Sequence, residues 1–150
     1  MYYRYFSLQK EMPHEHLQKI VVIDYMKEMT LLAVTTSGER EVVMGFARYV
    51  MEDPNFANFS IAVRDERQNR GLGILLLTRL MQLAHRQGFS GFTLEVLLEN
   101  RQMVMLINHM RKLGHAVERQ IEGDTALYLL TFNAELLSSQ VIEDPRVSRG

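Results

Sequence analysis

Apolar positions follow two periods along this chain, and the switches between them mark its elements. Residues 28–36 (E-M-T-L-L-A-V-T-T), 42–50 (V-V-M-G-F-A-R-Y-V) and 58–63 (N-F-S-I-A-V) are short, largely apolar and rich in β-branched residues, and each predicts a strand. Ser37-Gly38-Glu39 and Asp53-Pro54-Asn55 separate them as turn signals. Ahead of them, Leu17, Ile20 and Val21 recur at helical spacing, which predicts a helix over 13–24. Three antiparallel strands would then precede the first long helix, the apolar run 74–85. Gly88 and Gly91 flank the next turn, and 92–98 (F-T-L-E-V-L-L) predicts a strand. A second helix opens at Asn100-Arg101 and stops at Lys112-Leu113-Gly114. Residues 118–130 supply a final hairpin around Gly123-Asp124. No repeat, low-complexity block or linker interrupts the chain. One β-rich domain with helices on both sides is expected over 1–132, with the polar segment 133–150 as a partly ordered tail.

Between the third predicted strand and the first long helix lies V-R-D-E-R-Q-N-R-G-L-G (63–73). Glycines at the mouth of a helix let the backbone approach a ligand, and the unpaired N–H groups of the first turn suit anionic oxygens. The stretch therefore reads as a diphosphate cradle. A Walker loop would need Lys-Ser/Thr after the last glycine, where Ile74 and Leu75 stand. A Rossmann fingerprint would need a third glycine at Leu76 and a tight turn in place of the polar run 64–70, although Glu95 lies near the offset of its ribose-binding carboxylate. Gln68-x-x-Gly71-x-Gly73 instead resembles motif A of the GNAT superfamily, the acetyl-CoA-dependent N-acyltransferases. The elements after it arrive in that family's order, and the helix from Asn100 to Leu113-Gly114 resembles its motif B. This resemblance spans about residues 20–132. At the start, Met12-Pro13, 14–17 (H-E-H-L) and 23–34 look like the acyltransferase domain of bacterial Pat-type protein lysine acetyltransferases. That domain is often fused to a larger acyl-CoA-synthetase-like or regulatory region, and neither fits in 150 residues.

The resemblance implies an α/β (α+β) GNAT fold, with a mixed, mostly antiparallel central sheet and helices on both faces. It implies direct, sequential transfer of an acetyl group from acetyl-CoA to a primary amine, either a protein lysine or a small amine. Ile61, Ala62 and Val63 would bind the acetyl and pantetheine portions, one backbone N–H there polarising the thioester carbonyl. Gln68, Asn69, Arg70, Gly71, Leu72, Gly73 and Ile74 would surround the diphosphate. Asn100 would contact the cofactor arm, or serve only as a helix cap. A lysine amine titrates near pH 10.4, so an enzyme working at neutrality must help remove its proton. The glutamate that Pat-type enzymes carry for this aligns with Asn58, which is no base. Glu95 matches the base of another branch of the superfamily; its alternative is an outward-facing strand carboxylate. Asp24, Glu28 and Asn58 would meet the acceptor, the two acids otherwise being surface-helix residues. The tyrosine that protonates the leaving thiolate in many relatives falls on Met110 or Ile107, which leaves His109 or water for that step. A non-catalytic acyl-CoA-binding sensor is the alternative from a different class.

Composition narrows this further. At 47% hydrophobic and 23% charged, the chain has the apolar content for a real core. A net charge of −1 gives no basic field for nucleic acid or an anionic membrane, so any phosphate binding must be local. There is no apolar run of about 20 residues and the N-terminus lacks a signal-peptide core, which makes a cytoplasmic protein the default expectation. Zero cysteines exclude disulfides, a cysteine acyl-enzyme and thiolate metal ligation. His14-x-His16 has no further ligand cluster, and no metal is expected. The final hairpin offers an edge through which two copies could pair as a homodimer.

Overall fold

The structure, a computed structural model, describes residues 2–6, 17–24, 27–64 and 70–139, the side chains of 2–6, 17, 18 and 70 excepted. The elements run β1 (Tyr2–Phe6), β2 (Leu17–Asp24), β3 (Glu28–Ser37), β4 (Arg40–Met51), β5 (Phe56–Val63), α1 (Arg70–Arg86), β6 (Gly91–Leu97), α2 (Arg101–Leu113), β7 (Ala116–Glu122), β8 (Thr125–Thr131) and α3 (Ala134–Ser138). Five described strands precede the first helix, where the sequence pattern predicts three. The helix expected over 13–24 is strand β2 across its described part. Leu17, Ile20 and Val21 fit a helical period by coincidence. The run Ile20-Val21-Val22-Ile23 is β-branched throughout and pairs antiparallel with β1 on one side and β3 on the other. A strand flanked on both edges carries apolar residues on both faces: Ile20 and Val22 are buried, Val21 and Ile23 half-buried.

The described residues form two compact units, one of residues up to Arg48 with Ile61–Leu80, the other of Tyr49–Ser60 with Met81–Gln140. β4, β5 and α1 each run from one unit into the other. In the first unit the strand order is β1-β2-β3-β4. The core of this unit takes Ile20, Val22, Met29, Leu31 and Ala33 from the sheet and Leu72, Leu76, Leu77 and Leu80 from α1. Those four leucines repeat at the four-residue and three-residue spacings of one helix face. β4 and the end of β5 lie close: the Arg64 N–H donates to the Met44 carbonyl at 2.9 Å, and Arg64 Nε donates to the Val43 carbonyl at 3.1 Å.

In the second unit the order is β5-β6-β8-β7, with β5 and β6 parallel and the other pairs antiparallel. The parallel register covers Phe56↔Gly91, Ala57↔Phe92 and Asn58↔Thr93 and stops there. Gly91 is required at its position, because a Cβ there would overlap the Leu130 carbonyl oxygen. On the buried face Phe59 stacks on Phe92, with centroids 5.2 Å apart and planes 9° from parallel, and Tyr49 and Phe132 pack against the same ring. This aromatic cluster fixes which side of β5 and β6 faces inward.

The end of α2 is tied to α3. Gly114 takes φ of 121°, which an L side chain rarely adopts, and its N–H closes α2 onto the Arg111 and Met110 carbonyls. Asn133 caps α3 through Oδ1, and its backbone N–H donates to Nδ1 of the buried His115 at 2.9 Å. Residues 133–139, the start of the segment expected as a tail, are thus anchored to the second unit, with Leu137 buried and its carbonyl accepting from Gln82 Nε2 at 3.2 Å.

His115 carries a pH dependence. Its Nδ1 must be unprotonated to accept the Asn133 N–H, and burial lowers its pKa below the ordinary 6.5. The folded state then binds fewer protons than the unfolded state. The stability His115 contributes is present above about pH 6.5 and is lost as pH falls from there through the depressed folded value. Urea midpoints should fall between pH 7.5 and 5, with a shallower slope in His115→Gln; equal slopes would show that other groups control the acid limb.

Candidate functional site

α1 begins at Arg70, one turn earlier than the apolar run at 74–85 suggests. Gly71 and Gly73 therefore lie inside its first turn, not in the loop before it, and no acidic residue shares that turn. The N–H groups of Arg70, Gly71 and Leu72, the first three residues of the helix, are among those a helix leaves without internal acceptors. The partial positive charge there suits an anion. Gly71, Gly73 and Ile74 are half-buried, whereas the Leu72 side chain is in the core, so any contact from Leu72 runs through its backbone. Gln68 and Asn69 lie outside the described residues, as does the Arg70 side chain. The first unit also holds Ile61, Ala62 and Val63 at the end of β5, beside Gly45, where an added Cβ would sit 3.0 Å from the Ala62 carbonyl.

Asp24 ends β2 and Glu28 begins β3, so neither lies on a surface helix. Glu28 is engaged by Arg48, with 3.3 Å between Oε2 and Nη2. That ion pair offsets the charge an incoming lysine would need from it.

The second unit brings Asn58 and Glu95 onto one face. Along β6, Leu94 and Val96 are buried and Glu95 between them is exposed, as strand alternation requires. Asn58, opposite Thr93, is exposed on that same side: its Nδ2 donates to the Thr93 carbonyl at 3.3 Å and lies 3.4 Å from Thr93 Oγ1. Glu95 stands two residues further along β6, about 6.6 Å on, past the last registered pair of the two parallel strands. Thr93 Oγ1 in turn donates to Glu52 Oε1 at 2.8 Å. Neither Glu52 nor Thr93 is recognisable from sequence as part of this group. They are 41 residues apart, and no local pattern records their proximity.

Asn100 caps α2, its Oδ1 accepting from the Met103 N–H at 3.2 Å. The cap leaves the side-chain amide's donor end to other partners. Ile107 and Met110, where the family resemblance would place a thiolate-protonating tyrosine, are both buried, and His109 is half-buried.

A family model described as the Acetyltransferase (GNAT) family matches residues 1–114. The chain belongs to the GNAT acetyltransferase family. It is accordingly an N-acetyltransferase that draws its acyl group from acetyl-CoA. The GNAT domain of S. lividans PAT superposes with a TM-score of 0.58 at 22% identity, over 73% of this chain and 64% of that one. A cAMP-binding acyltransferase from Mycobacterium smegmatis gives 0.57 at 22% identity, over 78% of this chain and 37% of that one. The Salmonella typhimurium yncA structure, described with its cofactor acetyl-CoA, gives 0.53 at 21% identity, over 71% and 64%. The chain thus spans about two thirds of the first and last of these and little more than a third of the second. At such identities they establish a shared GNAT fold: α/β, with a mixed, mostly antiparallel sheet. No described helix is long and apolar enough to cross a membrane.

Proposed function

We propose that this GNAT acetyltransferase transfers acetyl directly to a primary amine, with a protein lysine as the acceptor class, and that Glu95 removes the amine proton. The observation that carries this reading is the exposed Glu95 carboxylate on the same sheet face as Asn58, just past the last registered pair of β5 and β6. In this reading the backbone at Ile61, Ala62 and Val63 meets the acetyl and pantetheine end. Gln68, Asn69, Arg70, Gly71, Leu72, Gly73 and Ile74 hold the diphosphate, and Asn100 Nδ2 donates to the arm. Asn58 meets the acceptor, and Asp24 and the Arg48-paired Glu28 are acidic groups for a cationic partner. With Glu95 as base, the amine nitrogen forms the new C–N bond, the C–S bond breaks, and the electron pair leaves with coenzyme A sulfur, which takes a proton from water while Glu95 returns its own to the hydroxide so formed.

The test is release of coenzyme A thiol on mixing the protein with acetyl-CoA and lysine-bearing peptides or small primary amines. Amine-dependent release is expected. Binding of acetyl-CoA without release against every amine would overturn transfer and leave an acyl-CoA-binding sensor.

A further inference from the structure

The polarity of the hydrogen bonds at Asn58 carries a consequence for the acceptor. A backbone carbonyl can only accept, so the atom of the Asn58 amide facing the Thr93 carbonyl must be the NH₂ group, which fixes the flip of this side chain. The ionised Glu52 carboxylate can also only accept, so the Thr93 hydroxyl proton points to Glu52. That leaves the Thr93 oxygen lone pairs on the side of Asn58 Nδ2, 3.4 Å away. Every donor in the chain Asn58, Thr93, Glu52 runs one way. Asn58 Oδ1 is consequently the atom left as an acceptor at this point, and rotating the amide would set two acceptors against each other.

The neighbouring acid shows that this arrangement is particular to Glu52. Asp53 spends Oδ1 on the Asn55 and Phe56 N–H groups, at 2.7 and 2.8 Å, and so builds the turn between β4 and β5. Glu52 instead sends its carboxylate to Thr93 on β6.

We infer that Glu52 is a positioning residue: acting through the Thr93 hydroxyl, it holds Asn58 with Oδ1 presented to an N–H donor, the acceptor amine. This rests on the amine-transfer reading above and adds to it. Glu95 takes the proton, and Asn58 orients the nitrogen that loses it. The ligand class recognised is a primary amine or ammonium, which donates two or three hydrogen bonds. An acceptor nucleophile without an N–H leaves Oδ1 unmatched.

The test pairs amine kinetics with direct binding. Glu52→Ala and Thr93→Val, which remove the acceptor and the donor of one bond, should each raise the KM for lysine amide about fivefold, the scale of one hydrogen bond, and by a larger factor than they lower kcat. The double variant should be no worse than the single variants, because both break one chain. Thr93→Ser, which keeps the hydroxyl, should bring the constant back. The affinity for acetyl-CoA, measured by titration calorimetry, should move less than about twofold, within the scatter expected of a surface change. Additive losses, or an equal loss of acetyl-CoA affinity, would mean that the chain is only a clasp between strands and overturn the proposal. For a protein that shows no turnover, lysine amide is titrated into the coenzyme A-loaded protein while the Asn58 side-chain amide is followed by NMR. A saturable shift weakened in Thr93→Val supports positioning while transfer itself fails. No shift in the wild-type protein refutes positioning, whatever becomes of transfer.

Discussion

Gly71→Trp should abolish acetyl-CoA binding, lowering affinity by about 100-fold or more. The helix α1 begins one residue before Gly71, and its first-turn N–H groups have no internal acceptors. A diphosphate supplies those acceptors only if it can reach the backbone, which a residue without a side chain permits. An indole at this half-buried position covers the approach. Loss of two hydrogen bonds to charged oxygen, each worth about 1.5–3 kcal/mol, amounts to about 100-fold or more in Kd. The helix cannot evade the substitution by rolling, because Leu72, Leu76, Leu77 and Leu80 hold one face of it in the core. Tryptophan is also a better helix residue than glycine, so the helix itself is not weakened. Titration calorimetry on a sample whose thermal unfolding matches the wild type is the decisive measurement. Micromolar binding surviving in the variant would show that the phosphates lie elsewhere.

Glu95→Gln should lower kcat about 100-fold, the lower end for loss of a general base, with little change in stability. The substitution keeps the shape and removes only the proton-accepting charge. Because Glu95 is exposed on β6 between buried Leu94 and Val96, stability should stay within about 0.5 kcal/mol. Single-turnover acetylation of lysine amide at saturating acetyl-CoA separates this from a binding defect. A kcat within threefold of wild type, a change of well under 1 kcal/mol in the barrier, would mean that water alone accepts the proton. Asn58 would then be the only polar residue of the expected pair with a part in the transfer.

The two variants also show how much of the site was legible in sequence. The glycines at 71 and 73 and the cap at Asn100 are local signals: a helix start needs particular residues within one turn, whatever the rest of the chain does. The alternation about Glu95 is likewise local, because a strand sends successive side chains to opposite faces. Asp24 lies off a surface helix for the same reason that β2 departs from the helix its spacing predicts, whereas Glu28 opens β3, which the pattern at 28–36 already predicts as a strand. Spacing within eight residues does not separate a helix face from a strand flanked by neighbours on both edges. Only β1 and β3, hydrogen-bonded to it, settle the matter. The motif groups Leu72 with the residues expected to meet the cofactor, yet its side chain serves the core.

By itself the sequence determined the strands from β3 to β8, the turns between them, the helix α2 and the family, whereas the earlier first turn of α1 and the short helix α3 came only with the structure. Each of the former depends on interactions within a few residues. The tertiary structure decided the rest. It set the short register that ends at Asn58 and Thr93, the ion pair that occupies Glu28, the burial of His115 under Asn133, and the meeting of Glu52 with Thr93. The physical reason is one of range. Periodicity and capping record what a residue does to its own turn or strand, whereas a hydrogen bond across 41 residues exists only once strand pairing has brought its two ends together.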